Sequence, residues 1–293
     1  MAWTSVDDMI SEISAGKFTR ADWNKITGAA AYTAGRWHDL SALNGTPIAN
    51  AWAGTSLTWR ACDESTGNGT QIFGIRHGGD VTPDSKRLLN ASAISAVATA
   101  VPSQLMLVDM CGYWPGISMN SSSLQSLSGT PSLRYTNGVG VRAALVITTT
   151  SGATAHNLSM SYTDQDGNTG NTMPVTVSCT ASAITPHITH SGTAANNYGP
   201  FLPLASGDYG IRNVASVQLS AASGAGTAAL VLYKPIMTIP LVTASVASER
   251  DFVNQIPSLP EIKDGACLTW LYFAGAATAA NTNIYGALEM GWG

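Results

Sequence analysis

His187 and His190 stand in H-x-x-H spacing. Two imidazoles so placed share a metal only with a third ligand. No acid lies nearby, the closest being Asp208, so they read as loop or interface histidines. Asp164, Asp166 and Asn168 match the first half of a calcium loop. The glutamate that such a loop needs at its twelfth position is replaced by Val175, so the stretch reads as a turn. Gly224-x-Gly226-x-x-Ala229 has the letters of a dinucleotide fingerprint, which requires a following helix to receive the pyrophosphate. Leu230 to Tyr233 instead reads as a strand running into Pro235, which makes the glycines a turn between strands. His38, His77 and His156 are scattered singly, and no G-x-S-x-G elbow, H-E-x-x-H motif or phosphate loop occurs. The chain is therefore expected not to be an enzyme, and no catalytic, metal or cofactor residue is assigned.

The four cysteines, Cys62, Cys111, Cys179 and Cys267, are far apart and form no C-x-x-C pair. Cys111 and Cys267 lie in strongly apolar runs, so all four are expected as buried free thiols. Of eight tryptophans, Trp3, Trp23, Trp37, Trp52 and Trp59 fall in the first fifth of the chain. Exposed indoles stack on sugars, but tryptophan is more commonly a core or interface residue.

Charge is the scarce ingredient. Asp, Glu, Lys and Arg make up 11% of the residues, against about 25% in an average globular protein. Soluble monomers cover themselves with charge, and a surface dominated by Ala, Ser, Thr and Gly is better suited to lying against other protein. No basic stripe exists for phosphate neutralisation, so no nucleic-acid partner is expected. No run approaches the length of a membrane helix, and MAWTSVDDMI is acidic where a secretory leader is basic and then apolar. No membrane partner is expected.

The elements that must position these residues are of two kinds. Residues 5–16 predict a helix: Ser5 caps it, Asp7 and Asp8 complement its dipole, and Val6, Met9, Ile10 and Ile13 make one apolar stripe. A second short helix is predicted over 19–27, capped by Thr19 and closed by Gly28. After Gly35 short apolar or alternating runs predict strands at 56–60, 71–75, 104–113, 139–149, 157–163, 173–180, 214–220, 228–235, 239–246, 266–273 and 283–292. Leu158, Met160 and Tyr162 alternate with Asn157, Ser159 and Ser161, and residues 164–168 turn that strand into a hairpin. Residues 88–101 suit either a helix or a strand, and 192–207 and 255–265 read as long loops. The expectation is a mainly β fold, a jelly-roll-like antiparallel β-sandwich over 36–293 preceded by a helical arm over 1–35.

Three stretches carry a resemblance: HGGDVTPDSKRLLNASA (77–93), HSGTAANNYGPFLPLASGDYGIRNVASVQLS (190–220) and ERDFVNQIPSLPEIKDGACLTWLYFAGAATAANTNIYG (249–286). Together with the N-terminal VDDMISEISAGKFTRADWNKITG, they make the chain resemble a family of tailed-bacteriophage virion proteins. The resemblance implies a structural component of the particle, assembled in the host bacterial cytoplasm. A capsid decoration, or cement, protein fits it best: a β-sandwich, commonly trimeric, bound to the major capsid protein. The alternative is a head-fibre, collar or tail component with a glycan-binding role. The candidate capsid-anchoring residues are Trp3, Val6, Met9, Ile10, Ile13 and Trp23.

Overall fold

The computed structural model describes residues 3–254 and 258–293. The chain begins with α1 (Val6–Ser14), then β1 (Phe18–Ile26), β2 (Arg36–Asp39), β3 (Gly45–Thr46), β4 (Arg60–Ala61), β5 (Lys86–Ser95) and β6 (Ser103–Ser118). It continues through β7 (Gln125–Ser126), β8 (Arg142–Thr149), β9 (His156–Asp164), β10 (Asn171–Thr172), β11 (Val177–Cys179) and β12 (Ile211–Leu219). It ends with β13 (Thr227–Leu241), β14 (Ser248–Asp251), β15 (Glu261–Ile262), β16 (Leu268–Ala274) and β17 (Asn283–Trp292). The fold is mainly β, an antiparallel sandwich with one short N-terminal helix.

Three sheets make the sandwich. The central one has the order β2-β16-β6-β13-β8, with β4 also on β6. A second has the order β14-β5-β17-β1-β3, with β15 on β5, and a third the order β10-β9-β12-β7, with β11 on β9. The central sheet is long because β6 and β13 pair from Thr227↔Ser118 to Leu241↔Ser103. One end of it packs on the second sheet, where Leu105, Leu107, Ile239, Trp270 and Tyr272 meet Trp23, Leu88, Ala91, Ile284 and Leu288. The other end packs on the third sheet, where Trp114, Leu145, Ile147, Leu230 and Leu232 meet Leu158, Met160, Tyr162, Val214 and Val217. The opposite face of the central sheet, with Val108, Met110, Val146, Val231 and Leu271, is closed by Trp37, Cys62, Phe73 and Ile188.

The helix expected over 19–27 is a strand. β1 pairs with β17 residue for residue, from Phe18↔Gly291 to Ile26↔Asn283. Its true period is two: Ala21, Trp23 and Lys25 are buried while Arg20 and Asp22 are exposed. Lys25 hides that period from the sequence, because a buried lysine looks like a surface residue. Its ammonium donates to the carbonyls of Leu43 at 3.1 Å and Pro47 at 2.6 Å, and burial lowers its pKa to about 8. Residues 18–26 thus lie within the second sheet rather than in a helical arm.

Other expected strands differ for identifiable reasons. Residues 71–75 add only a single bridge, Ile75↔Leu268, and 56–60 add the bridge Thr58↔Ser128 and the start of β4. Side chains hold that region in place of a ladder: Asn68 donates to Asn50 Oδ1 at 3.1 Å and to the Tyr113 hydroxyl at 2.9 Å. The runs at 228–235 and 239–246 join as β13, which extends to Leu241 despite Pro235 and Pro240. Past Tyr233, β8 no longer pairs with β13, so both prolines sit where one side of the strand needs no N–H. The ambiguous 88–101 is mostly β5.

Candidate attachment surface

α1 is built as its sequence dictates. The Ser5 hydroxyl accepts the Asp8 N–H at 3.0 Å, and the chain leaves the helix through Gly16 at φ +93°. Lys17 then bridges Glu12 at 2.9 Å and Asp84 at 2.8 Å, which ties the end of the helix to the body.

The apolar stripe of α1 is divided. Met9 is buried, and Ile13 is half-buried. Trp3, half-buried, lies over the end of β17, where Gly291 and Gly293 leave room: a β-carbon at Gly291 would stand 3.2 Å from the indole. Val6 and Ile10, one turn apart, are 62% and 54% exposed. Trp3, Val6, Met9, Phe252, Val253 and Leu259 line a groove of about 390 Å³ beside the helix. Trp23 does not belong to this surface. It is 2% exposed, and its ring stands 5.1 Å from that of Trp270 in the core. Its place in a strand, not a helix, turns it inward.

The residues with chemical potential are committed to structure. The His190 Nε2 accepts the Leu145 N–H at 3.3 Å, and His187 Nε2 is 3.2 Å from the Ser191 carbonyl. Burial lowers the pKa of His190 to about 4 and of His38 to about 3, and it holds His187 well below the ordinary imidazole value. The rings of His38 and His187 are 5.4 Å apart, and His38 stacks on Tyr32 at 3.9 Å. Asp164 accepts the N–H groups of Asp166 and Asn168 and the amides of Asn168 and Asn171, at 2.8–2.9 Å. Its oxygens hold the β9–β10 turn. Gly224 and Gly226, at φ +99° and +94°, make a turn between β12 and β13. All four cysteines are buried and free. Among the described residues no three His, Cys, Asp or Glu side chains gather as metal ligands, and no helix is long and apolar enough to cross a membrane.

Two buried ionic groups escaped the sequence reading. The Glu64 carboxylate accepts the N–H groups of His77, Gly78 and Gly79 at 2.7, 3.1 and 2.9 Å. Lys86 donates to the carbonyls of His77 and Gly79, each at 2.6 Å, from the other side of that turn. Asp109, fully buried, lies between Leu107 of one core and Cys111 of the other. It accepts from Arg134 Nη1, from the Tyr135 hydroxyl at 2.9 Å and from the Cys267 N–H at 2.8 Å. Burial pushes its carboxyl up, and Arg134 opposes that. These are hydrogen-bonded supports of the fold: Asp109 is ion-paired with Arg134, and the Lys86 ammonium is held by backbone carbonyls.

No family model matches this chain. No curated protein matches it either. Among solved structures, the crystal structure of the infectious bursal disease virus VP2 subviral particle covers 94% of this chain and 80% of its own, at 11% identity and a TM-score of 0.17. Similarity that low carries no argument about fold or function, and it does not bear on the resemblance to phage proteins.

Proposed function

We propose that this chain is a non-catalytic structural protein that attaches to the outer surface of a phage capsid and stabilises it. The observation that carries the reading is the exposure of Val6 and Ile10 on a helix whose other side is fixed to the body by Met9 and Lys17. An amphipathic helix normally buries its apolar stripe under its own fold. Here half of the stripe faces outward beside an apolar groove, on a chain that is poor in charge. The occupant is a surface of the major capsid protein, and three copies joined as a homotrimer add their contacts. Attachment stabilises the shell by burying area across subunit joints, so that opening the shell must also break those contacts.

The test uses purified particles lacking the protein. Added full-length chain should bind them in hundreds of copies and raise the temperature at which they rupture. The paired substitution Val6→Ser and Ile10→Ser should weaken that binding without unfolding the chain. A dozen copies or fewer per particle would favour the collar or tail reading instead.

A further inference from the structure

A short segment joins the two edges of the central sheet. Residues 186–189 run antiparallel to both edge strands, with the bridge His38↔His187 to β2 and the bridge Val146↔Ile188 to β8. On the β2 side, the Asp39 N–H donates to the Pro186 carbonyl at 3.0 Å and the Ile188 N–H to the Trp37 carbonyl at 2.9 Å. On the β8 side, the Ile147 N–H donates to the His187 carbonyl at 2.9 Å and the Thr189 N–H to the Leu145 carbonyl at 3.0 Å. The segment is a seam that turns the sheet into a ring. Its ladder is short beside that of β6 and β13, so it is the weakest part of the ring.

Three of the five histidines, His38, His187 and His190, lie at this seam. The His190 Nδ1–H donates to the Tyr198 carbonyl, which leaves Nε2 as a lone pair, and that lone pair accepts the Leu145 N–H at 3.3 Å. A proton added at Nε2 sets N–H against N–H and removes a bond to β8. His187 Nε2 lies 3.2 Å from the Ser191 carbonyl, while its Nδ1 is buried with no hydrogen-bond partner. His38 Nδ1 is buried without a partner too, and the two rings are 5.4 Å apart. In either ring a second N–H would be buried with no acceptor, which is costly. The surroundings do not compensate. His38 is flanked by the rings of Tyr32 and Tyr272, at 3.9 and 6.4 Å. Arg36, on β2, disfavours positive charge at His38 and His187, and His38 and His190 disfavour it at His187. The carboxylate of Asp39, next along β2, is taken up by Ser41 and Tyr233.

We infer that the seam is an acid-operated latch: protonation of His187 and His190 parts residues 186–191 from β2 and β8 while the rest of the sandwich stays folded. The protons that the closed seam refuses are taken up once the rings regain water. Parting bares the edges of β2 and β8, whose N–H and C=O groups are then free to pair with another chain. His190 is held at about 4 when closed, against about 6.5 when exposed, so it alone favours opening about 30-fold between about pH 7.5 and about pH 5. His187, held low by burial, adds in the same direction. The inference does not depend on capsid attachment.

The experiment is hydrogen exchange of the full-length protein, read by mass spectrometry at those two pH values and corrected for the pH dependence of exchange itself. At the lower pH, peptides covering 181–191 should exchange through an opening that mild urea does not accelerate, while peptides of the β6–β13 ladder stay protected. At the higher pH the seam should be protected. His190→Gln places an amide oxygen near the position of Nε2 but does not titrate, and it should cut the pH response of the seam by about 30-fold. His187→Gln should reduce the response too, and it decides the matter if His190→Gln does not fold. Seam and ladder losing protection together, a seam as protected at the lower pH as at the higher, or an unchanged pH response in the folded glutamine variants would each overturn the inference.

Discussion

Arg134 reaches both oxygens of Asp109, at 2.9 and 3.0 Å, at the point where the two cores of the sandwich meet. Leu107 on one side of Asp109 belongs to the core under the second sheet, and Cys111 on the other to the core under the third. The pair is thus a polar pin through the middle of a long apolar sheet. Removing one partner leaves a buried charge, which costs about 3–5 kcal/mol, whereas replacing both by apolar residues is often close to neutral. Asp109→Ala and Arg134→Ala are each expected to lower the free energy of unfolding by about that much. The double variant Asp109→Leu with Arg134→Met removes the unpaired charge but leaves the Tyr135 hydroxyl and the Cys267 N–H without their acceptor, so it should recover only part of the loss. Urea titrations of the three proteins measure this directly.

Acid should weaken the fold through its histidines. His38, His187 and His190 are buried with pKa values lowered chiefly by desolvation, about 3 for His38 and about 4 for His190. Their unfolded value is about 6.5. The unfolded chain therefore binds more protons as the pH falls below that value. Stability is full above about pH 6.5 and is lost progressively toward the folded values. For His38 and His190 linkage gives a loss of about 2 kcal/mol each between about pH 7.5 and about pH 5, and His187 adds in the same direction. Urea midpoints at those two values test it, and His38→Phe, which keeps a ring against Tyr32, should flatten the dependence by its share. A midpoint that does not fall with acid would contradict the assignment of these three rings as buried and neutral.

Much of the β texture was legible because alternation is a local signal. Leu158, Met160 and Tyr162 face one core in the expected pattern, and the turn at 164–168 is held by Asp164 itself. α1 was legible from Ser5 and its stripe. What the sequence obscured is set by distant partners. β1 looked helical because Lys25 interrupts its period and its partner β17 is more than 250 positions away. Asp109 was visible as a lone acid inside LMLVDMCGYW, but Arg134 could not be matched to it, since their meeting depends on how the sheets stack. The attachment surface was half legible: the stripe named all its helical members, yet which of them face outward depends on where α1 lands on β17.

Trp23 and the Val6–Ile10 pair should separate cleanly. Trp23→Ala removes a buried ring beside Trp270 and is expected to cost about 3–5 kcal/mol. Val6→Ser with Ile10→Ser changes exposed positions and should shift stability by only about 0.5 kcal/mol or less at each site. Thermal or urea unfolding of the two variants distinguishes a core residue from surface ones. A large loss of stability in the serine variant would mean that these side chains support the fold itself.

The four thiols should be silent in the native protein. Cys62, Cys111, Cys179 and Cys267 are buried, and burial pushes the Cys179 thiol up to about 12. A thiol-reactive chromophore is expected to label essentially none of them in buffer and all four after denaturation. Rapid labelling of the folded protein would show that one of these sites opens readily.

The central claim is attachment to a capsid through the exposed side of α1. The most direct measurement is the rupture temperature of particles lacking this protein, before and after adding back the full chain or its Val6→Ser, Ile10→Ser variant. The account predicts that the wild-type chain binds and raises the rupture temperature, and that the folded variant binds less and raises it less. Particles equally robust with and without the protein, or a variant that binds and protects as well as the wild type, would contradict it.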